Sequence, residues 1–310
     1  MKEVLKSIYL EGFREDGDDY ADYFCGKHIK NAIVFPPDSP LCAGYVIKRK
    51  LSNGYYCAYF SAIATKQSER GKGYASKLIK LMLNKSYTDK YPFVVLSPFN
   101  SVFYKKFGFF TTQYCKKSIL KGSVLADVCE ATYDDLAAIN ALFDPEALRL
   151  DFSKEYFAEL KTESAVYGGV PLKIVHNGKI VGFCVKDELS VSKVVQNDIN
   201  VYDIDNFVGS TAKIPSTNGD AFIQLRIVSF PQFVGFLSPN SDFEVTIKIV
   251  DEIISENNAE WRIVSENSKI TAYKEVKSAC EYKVDIADFV EYMEQKKLIK
   301  PFVTQFIDEY

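Results

Sequence analysis

The sequence predicts a mixed α/β chain built as three consecutive units, on three observations. Strand and helix signals alternate through the first third; a weaker version of the same pattern returns from about Val124; and a turn-rich stretch then gives way to strands followed by one helix. The units are drawn at residues 1–120, 121–220 and 221–310. A length of 310 residues suits two or three such domains, each able to bury a core.

In the first unit, residues 42–48 and 55–64 are β-branched or aromatic runs separated by Ser52-Asn53-Gly54, and an Asn-Gly step supplies the positive φ angles of a hairpin turn. Residues 76–83 place Leu78, Ile79, Met82 and Leu83 at helical spacing behind Gly71 and Gly73. A short buried strand follows at 93–96, then a second helix from about Ser101. Ahead of the hairpin, residues 15–22 are acidic and interleaved with Tyr20, Tyr23 and Phe24. They suit either a solvated helix face or a pocket that takes a cationic amine through carboxylates and ring faces.

The second unit has helical signals at 131–143 and 154–160 and a hairpin of 172–175 with 180–185 around Asn177-Gly178. No glycine-rich strand-to-helix loop follows this hairpin. Residues 203–220 carry Gly209, Ser210, Pro215, Ser216, Asn218 and Gly219, and read as a linker or irregular crossover. In the third unit, 222–228, 243–250 and 260–264 read as strands and 284–296 as a helix.

Composition narrows the function. Aromatic residues make up 14% of the chain, which argues for packed cores over disorder. A net charge of -3 without a clustered Lys/Arg block lacks the electrostatic footprint of a nucleic-acid-binding protein. The seven cysteines (Cys25, Cys42, Cys57, Cys115, Cys129, Cys184, Cys280) form no C-x-x-C pair, and His28 and His176 stand alone, so neither a disulfide scaffold nor a metal site is expected. Charges at Lys2, Glu3 and Lys6 interrupt any leader-like apolar run, and no stretch of about 18 apolar residues occurs. A cytoplasmic enzyme without membrane or nucleic-acid partners is expected.

The segment Arg70-Gly71-Lys72-Gly73-Tyr74-Ala75 carries the chemistry. It follows an apolar strand and opens a helix. A pyrophosphate needs several backbone N–H groups converging on one point, and a glycine-bearing loop running into a helix N-terminus offers them together with the positive end of the helix dipole. Arg70 and Lys72 are candidates for charge-assisted contacts to the same group.

At these residues the sequence resembles the GNAT acetyltransferases, whose signature Q/R-x-x-G-x-G/A is met by Arg70, Gly73 and Ala75. Some thirty residues on, the run from Phe99 and Asn100 through Phe103-Tyr104 to Phe107-Gly108-Phe109 matches the family's second landmark, an Asn near the cofactor and an aromatic "FYxxxGF" ending. The resemblance implies acetyl-CoA as acyl donor, direct transfer to a primary amine, Asn100 beside the cofactor, backbone groups of Ala62, Ile63 and Ala64 along the pantetheine arm, and Tyr104 as proton donor to the departing thiolate.

The whole chain also resembles the Eis-type, or "enhanced intracellular survival", acetyltransferases: a catalytic GNAT unit, a second GNAT-like unit without a cofactor site, and a small α+β domain similar to sterol carrier proteins. Gln224-Leu225-Arg226-Ile227-Val228 and residues 245–261 are the portions similar to that last domain. This resemblance implies that the carboxylate of Tyr310 serves as general base and that the chain forms a homo-oligomer, with a hexamer as one form. The acceptor is then a small cationic molecule such as an aminoglycoside or polyamine, or a lysine side chain or peptide. Two rivals differ in class. One is an inactive acyl-CoA-binding sensor or scaffold of the same fold. The other is a tandem GNAT transferring aminoacyl groups from tRNA, which would need basic surface and not the glycine loop.

Overall fold

The computed structural model describes the chain apart from residues 120–123, 188–189, 196–201, 204–210, 217, 275–279, 281 and 308–310. Two helices open it, α1 (Lys2–Gly12) and α2 (Gly17–Lys27), ahead of β1 (Ala32–Phe35), β2 (Cys42–Lys50) and β3 (Tyr56–Thr65). Helix α3 (Tyr74–Thr88), β4 (Phe93–Leu96), α4 (Ser101–Lys105) and β5 (Phe110–Ile119) complete the first unit as it runs in sequence. Next come β6 (Val124–Leu125), β7 (Asp127–Glu130), α5 (Leu136–Asn140), α6 (Lys154–Val166), β8 (Val170–His176), β9 (Lys179–Lys186) and β10 (Ser190–Ser192). The remaining elements are β11 (Tyr202–Asp203), β12 (Thr211–Ser216), β13 (Asp220–Ile227), α7 (Phe230–Phe233), β14 (Phe243–Val250), β15 (Ala259–Glu266), β16 (Lys269–Lys274), β17 (Lys283–Asp285) and α8 (Phe289–Gln295).

Eleven strands form one mixed sheet in the order β1-β2-β3-β4-β13-β5-β12-β10-β9-β8-β7; β6 pairs with β11, and a separate four-stranded sheet runs β16-β15-β14-β17. The mixed α/β class expected from the sequence is the class observed. Alternation along the strands sorts their side chains onto two faces. Cys57, Tyr59, Phe93 and Val95 join a core with Leu5 and Ile8 of α1, Phe24 of α2, and Ile247, Trp261 and Phe289 of the C-terminal unit. Ala58, Phe60, Val94 and Leu96 face Leu78, Ile79, Met82 and Leu83 of α3 on the other side.

Three sequence expectations change. Residues 203–220 are not simply a linker: β12 lies within them and pairs with β5 from Thr211↔Ile119 to Ser216↔Tyr114. The strand read as opening the third unit is β13, and it lies between β4 and β5 in the central sheet, away from the four-stranded one. So the chain leaves after β5, builds β7 to β10, and returns to insert the strand that links β4 to β5. It passes from one edge of β5 to the other at Gly219, where φ is +131° and a Cβ would meet the carbonyl oxygen of Cys115 at 2.4 Å, so no side chain fits. Lastly, the helix expected at 284–296 begins later. Lys283–Asp285 is β17, parallel to β14, and Phe289 starts α8.

Candidate active site

The site grows from an irregularity in β3. Tyr45 pairs with Ser61 but Ala43 pairs with Ala64, so three steps along β3 oppose two along β2, and Ala62 takes φ +48°. Gly44 lies opposite this bulge. A Cβ there would come within 2.9 Å of Met82 Sδ and 3.1 Å of Ile63 Cγ1, so glycine lets α3 close on the bulged strand. The bulge lies past the stretch of β3 that pairs with its parallel neighbour. Pairing with β4 is confined to Ala58↔Val94 and Tyr59↔Val95, and the strands part beyond it. Backbone groups of Ala62, Ile63 and Ala64 stand where that gap opens.

After β3 the chain turns through Gly71 (φ +78°) and Gly73 (φ +82°) into α3. Open space surrounds both glycines, so their backbone angles and not crowding demand the residue type. Gly73 is the N-cap residue, and the N–H groups of Tyr74, Ala75 and Ser76 in the first turn have no partner within the helix. Ile63, Ala64, Arg70, Gly71, Gly73, Tyr74 and Ala75 converge on one cleft of about 570 Å³, closed on the far side by Phe13, Phe99, Phe103 and Lys106.

The two basic residues of the loop have partners within the protein. The Arg70 guanidinium donates to the carbonyl of Thr65 at 3.2 Å and to that of Glu11, and so ties the loop to the end of α1. The Lys72 ammonium pairs with Glu69 at 3.0 Å at an exposed position.

Asn100 caps α4: its side-chain oxygen accepts from the N–H groups of Val102 and Phe103 at 3.0 and 3.2 Å. It is not among the residues that line the cleft. Tyr104 is buried and is not among the residues that line the cleft, with its ring centroid 5.1 Å from that of Phe103 and 5.8 Å from those of Phe99 and Phe109. Burial pushes its hydroxyl pKa up, so at neutral pH it holds its proton. Tyr310 lies outside the described residues. The described end of the chain packs Ile307 into the cluster that contains Phe157 and Leu160 of α6, and the Gln113 side chain clamps Phe306 through its carbonyl at 2.9 Å and its N–H at 2.8 Å.

Phe13 also lines a second, larger pocket of about 760 Å³, so the cleft and the pocket share a wall. Asp16, Tyr20 and Phe24, spaced four apart on and just before α2, line it, while Asp18 and Asp19 are exposed on the other side of the helix. The acidic segment thus has one face on a pocket and another toward solvent. Its opposite wall comes from the second unit, with Glu163, Asp187, Lys193 and Lys213. Phenols hold two of the carboxylates: Tyr9 donates to Asp16, and Tyr20 donates to Glu163 at 3.0 Å. Burial raises the Asp16 pKa against the opposing effect of the Tyr9 hydrogen bond. Tyr9, Glu163 and the lysines carry no local signal in the sequence; only the regular spacing of Asp16, Tyr20 and Phe24 could have revealed a pocket face.

Residues 51–112 match the family model described as an acetyltransferase (GNAT) domain. Among solved structures, a GCN5-related N-acetyltransferase from Kribbella flavida is 14% identical with a TM-score of 0.67, covering 99% of this chain and 97% of that one. A protein from Enterococcus faecalis described as a probable N-acyltransferase is 13% identical with a TM-score of 0.70, covering 100% and 97%. An Eis protein from Mycobacterium abscessus is 13% identical with a TM-score of 0.62, covering 96% and 90%. At these identities the likeness is one of fold, and it spans nearly the whole chain. No curated protein matches by sequence. Among the described residues no helix is long and apolar enough to cross a membrane.

Proposed function

We propose that the protein is an acetyl-CoA-dependent N-acetyltransferase that modifies a primary amine on a small cationic molecule or a lysine side chain. One observation carries the reading: the cleft between bulged β3 and the α3 N-terminus shares the Phe13 wall with an acidic, aromatic pocket. The cleft suits the donor. The N–H groups at the start of α3 and the Gly71–Gly73 turn receive the pyrophosphate, and the parted edge of β3 at Ala62, Ile63 and Ala64 pairs with the amides of the pantetheine arm. That arm leads toward the gap between β3 and β4.

The pocket suits the acceptor, since Asp16 and Glu163 favour a cation and the rings of Tyr20 and Phe24 offer faces to it. The neutral amine attacks the thioester carbonyl; the tetrahedral oxyanion collapses and expels the thiolate of CoA. Tyr104, kept protonated by burial, gives the thiolate its proton. The amine's proton passes to water.

Steady-state turnover of acetyl-CoA with polyamine, aminoglycoside and lysine-peptide acceptors tests this directly. We expect activity with at least one class and a loss of about a hundredfold in kcat in Tyr104→Phe, the usual scale for removing a general acid. Binding of acetyl-CoA with no acceptor ever acetylated would replace the enzyme by a sensor of the same fold.

A further inference from the structure

We propose that Gln224 and Arg226 are positioning residues for Tyr104, gripping the two ends of α4 from one face of β13. This rests on the reading of Tyr104 as proton donor. Helix α4 has five residues, too few to hold its own shape, and its one side-chain cap is Asn100. Whatever fixes it must come from outside.

Strand β13 supplies that. Its Ile223, Leu225 and Ile227 enter the core shared with α1 and the C-terminal unit. Gln224 and Arg226, alternating with them, are almost fully buried toward α4. Nε2 of Gln224 donates to the carbonyl of Ser101, the first helical residue, at 3.2 Å. Nε of Arg226 donates to the carbonyl of Phe107, just past the last turn, at 2.6 Å. Residues two apart on a strand stand roughly 7 Å apart on one face, and six helical steps rise about 9 Å. The two grips thus bracket Tyr104.

Arg226 is itself held. Nη2 bonds Asp251 Oδ1 at 2.6 Å, and Nη1 bonds the carbonyl of Ile227. The same Asp251 oxygen accepts the N–H groups of Ile253 and Ile254, and the other accepts Asn257 Nδ2 at 2.8 Å. Asp251 and Asn257 belong to the segment between β14 and β15, so one buried ion pair ties the four-stranded unit to the helix that carries the tyrosine. On the helix side, Gly108 turns against the guanidinium at φ +82°, where a Cβ would lie 2.6 Å from Arg226 Nε. A proton donor displaced by about 1 Å from its acceptor loses on the order of a hundredfold in rate. Strand β13, which arrives from far along the sequence, therefore sets where Tyr104 stands.

The test is a double-mutant cycle in kcat. Gln224→Leu keeps similar bulk and removes the bond to Ser101. We expect it to lower kcat about tenfold with KM for acetyl-CoA within about twofold, and to change kcat less than about twofold when Tyr104 is already Phe. An equal loss in both backgrounds, or a change confined to KM, overturns the proposal. A second readout needs no turnover. With tyrosine rings labelled with 13C and the Tyr104 signal assigned by its loss in Tyr104→Phe, Gln224→Leu should shift or broaden that signal and leave most others in place. An unmoved Tyr104 signal overturns the anchoring. If the wild-type protein acetylates nothing, the functional reading fails alone, and the ring signal still decides whether β13 places the tyrosine.

Discussion

The hairpins β2–β3 and β8–β9 begin alike and end differently. Each turns at an Asn-Gly pair, Asn53-Gly54 or Asn177-Gly178, and each carries one register shift. In β2–β3 the shift lies at the far end of the second strand, at Ala62 and Ile63, next to the glycine loop and α3. In β8–β9 it lies beside the turn, between Val175↔Ile180 and Ile174↔Gly182. The strand that follows β9 is β10, which folds back antiparallel onto it. A bulge beside the turn only twists the hairpin tip, whereas one at the far end parts neighbouring strands and faces a helix N-terminus. The same local device lies beside a cleft in one unit and a closed edge in the other, and the second unit instead contributes a wall of the larger pocket.

The strongest way to break this comparison is to strain both glycine turns equally. Gly73→Val forces a β-branched residue to φ +82° and should weaken acetyl-CoA binding about a hundredfold by calorimetry. Gly178→Val, at φ +73°, should lower the melting temperature and leave acetyl-CoA affinity unchanged. A comparable loss of affinity in Gly178→Val would show that the second hairpin also serves the donor.

The joint between the units offers the next test. His28 is buried beside Phe24, Asn31, Lys27, Arg49 and Glu159, and burial, reinforced by the two cations, lowers its pKa from 6.5 to about 4. The fold therefore keeps it neutral where the unfolded chain protonates it. Its contribution is present above pH 6.5 and is lost as pH falls toward 4, so unfolding free energy should drop by roughly 2 kcal/mol between pH 6.5 and 5. His28→Gln should flatten that slope in denaturant titrations at stepped pH. Glu159, on α6, works at lower pH. Despite burial, Arg49 and Lys27 hold its pKa down to about 2, so its contribution is present above about pH 4.5 and falls away below it.

Two smaller effects sharpen the assignment of the pockets. Asp16→Asn should raise the KM of a cationic acceptor about fivefold and leave that of acetyl-CoA unchanged, which separates the acceptor pocket from the cleft. Ala62→Gly relieves the positive φ of the bulge and should stabilise the fold by up to about 1 kcal/mol in thermal melts. Destabilisation would mean that Ala62 packing, and not backbone strain, dominates there.

Much of the site could be read locally, because local chemistry makes it. The Asn-Gly turn, the Gly71–Gly73 loop and the Leu78, Ile79, Met82, Leu83 face of α3 are each specified within a few residues, and the structure forms all three. What escaped depends on partners distant in sequence. Arg70 looks like a phosphate ligand in its motif, and it lines the cleft, but Nε and Nη2 also reach the carbonyls of Thr65 and Glu11, and the carbonyl of Glu11 has no sequence signature. The far wall of the larger pocket escaped for the same reason, since Tyr20 and Glu163 meet across 143 positions.

By itself the sequence determined the fold class, the Gly71–Gly73 loop ahead of α3 and the aromatic segment that carries Tyr104, since periodicity, turn residues and backbone preferences act over a few positions. The tertiary structure alone decided that β13 belongs beside β4 and β5, that its Gln224 and Arg226 grip α4, and that the larger pocket is lined from two units. Strand pairing is satisfied by any edge of matching hydrogen bonds and hydrophobic face, so the choice among edges is made by packing of the whole chain and leaves no mark in a short window.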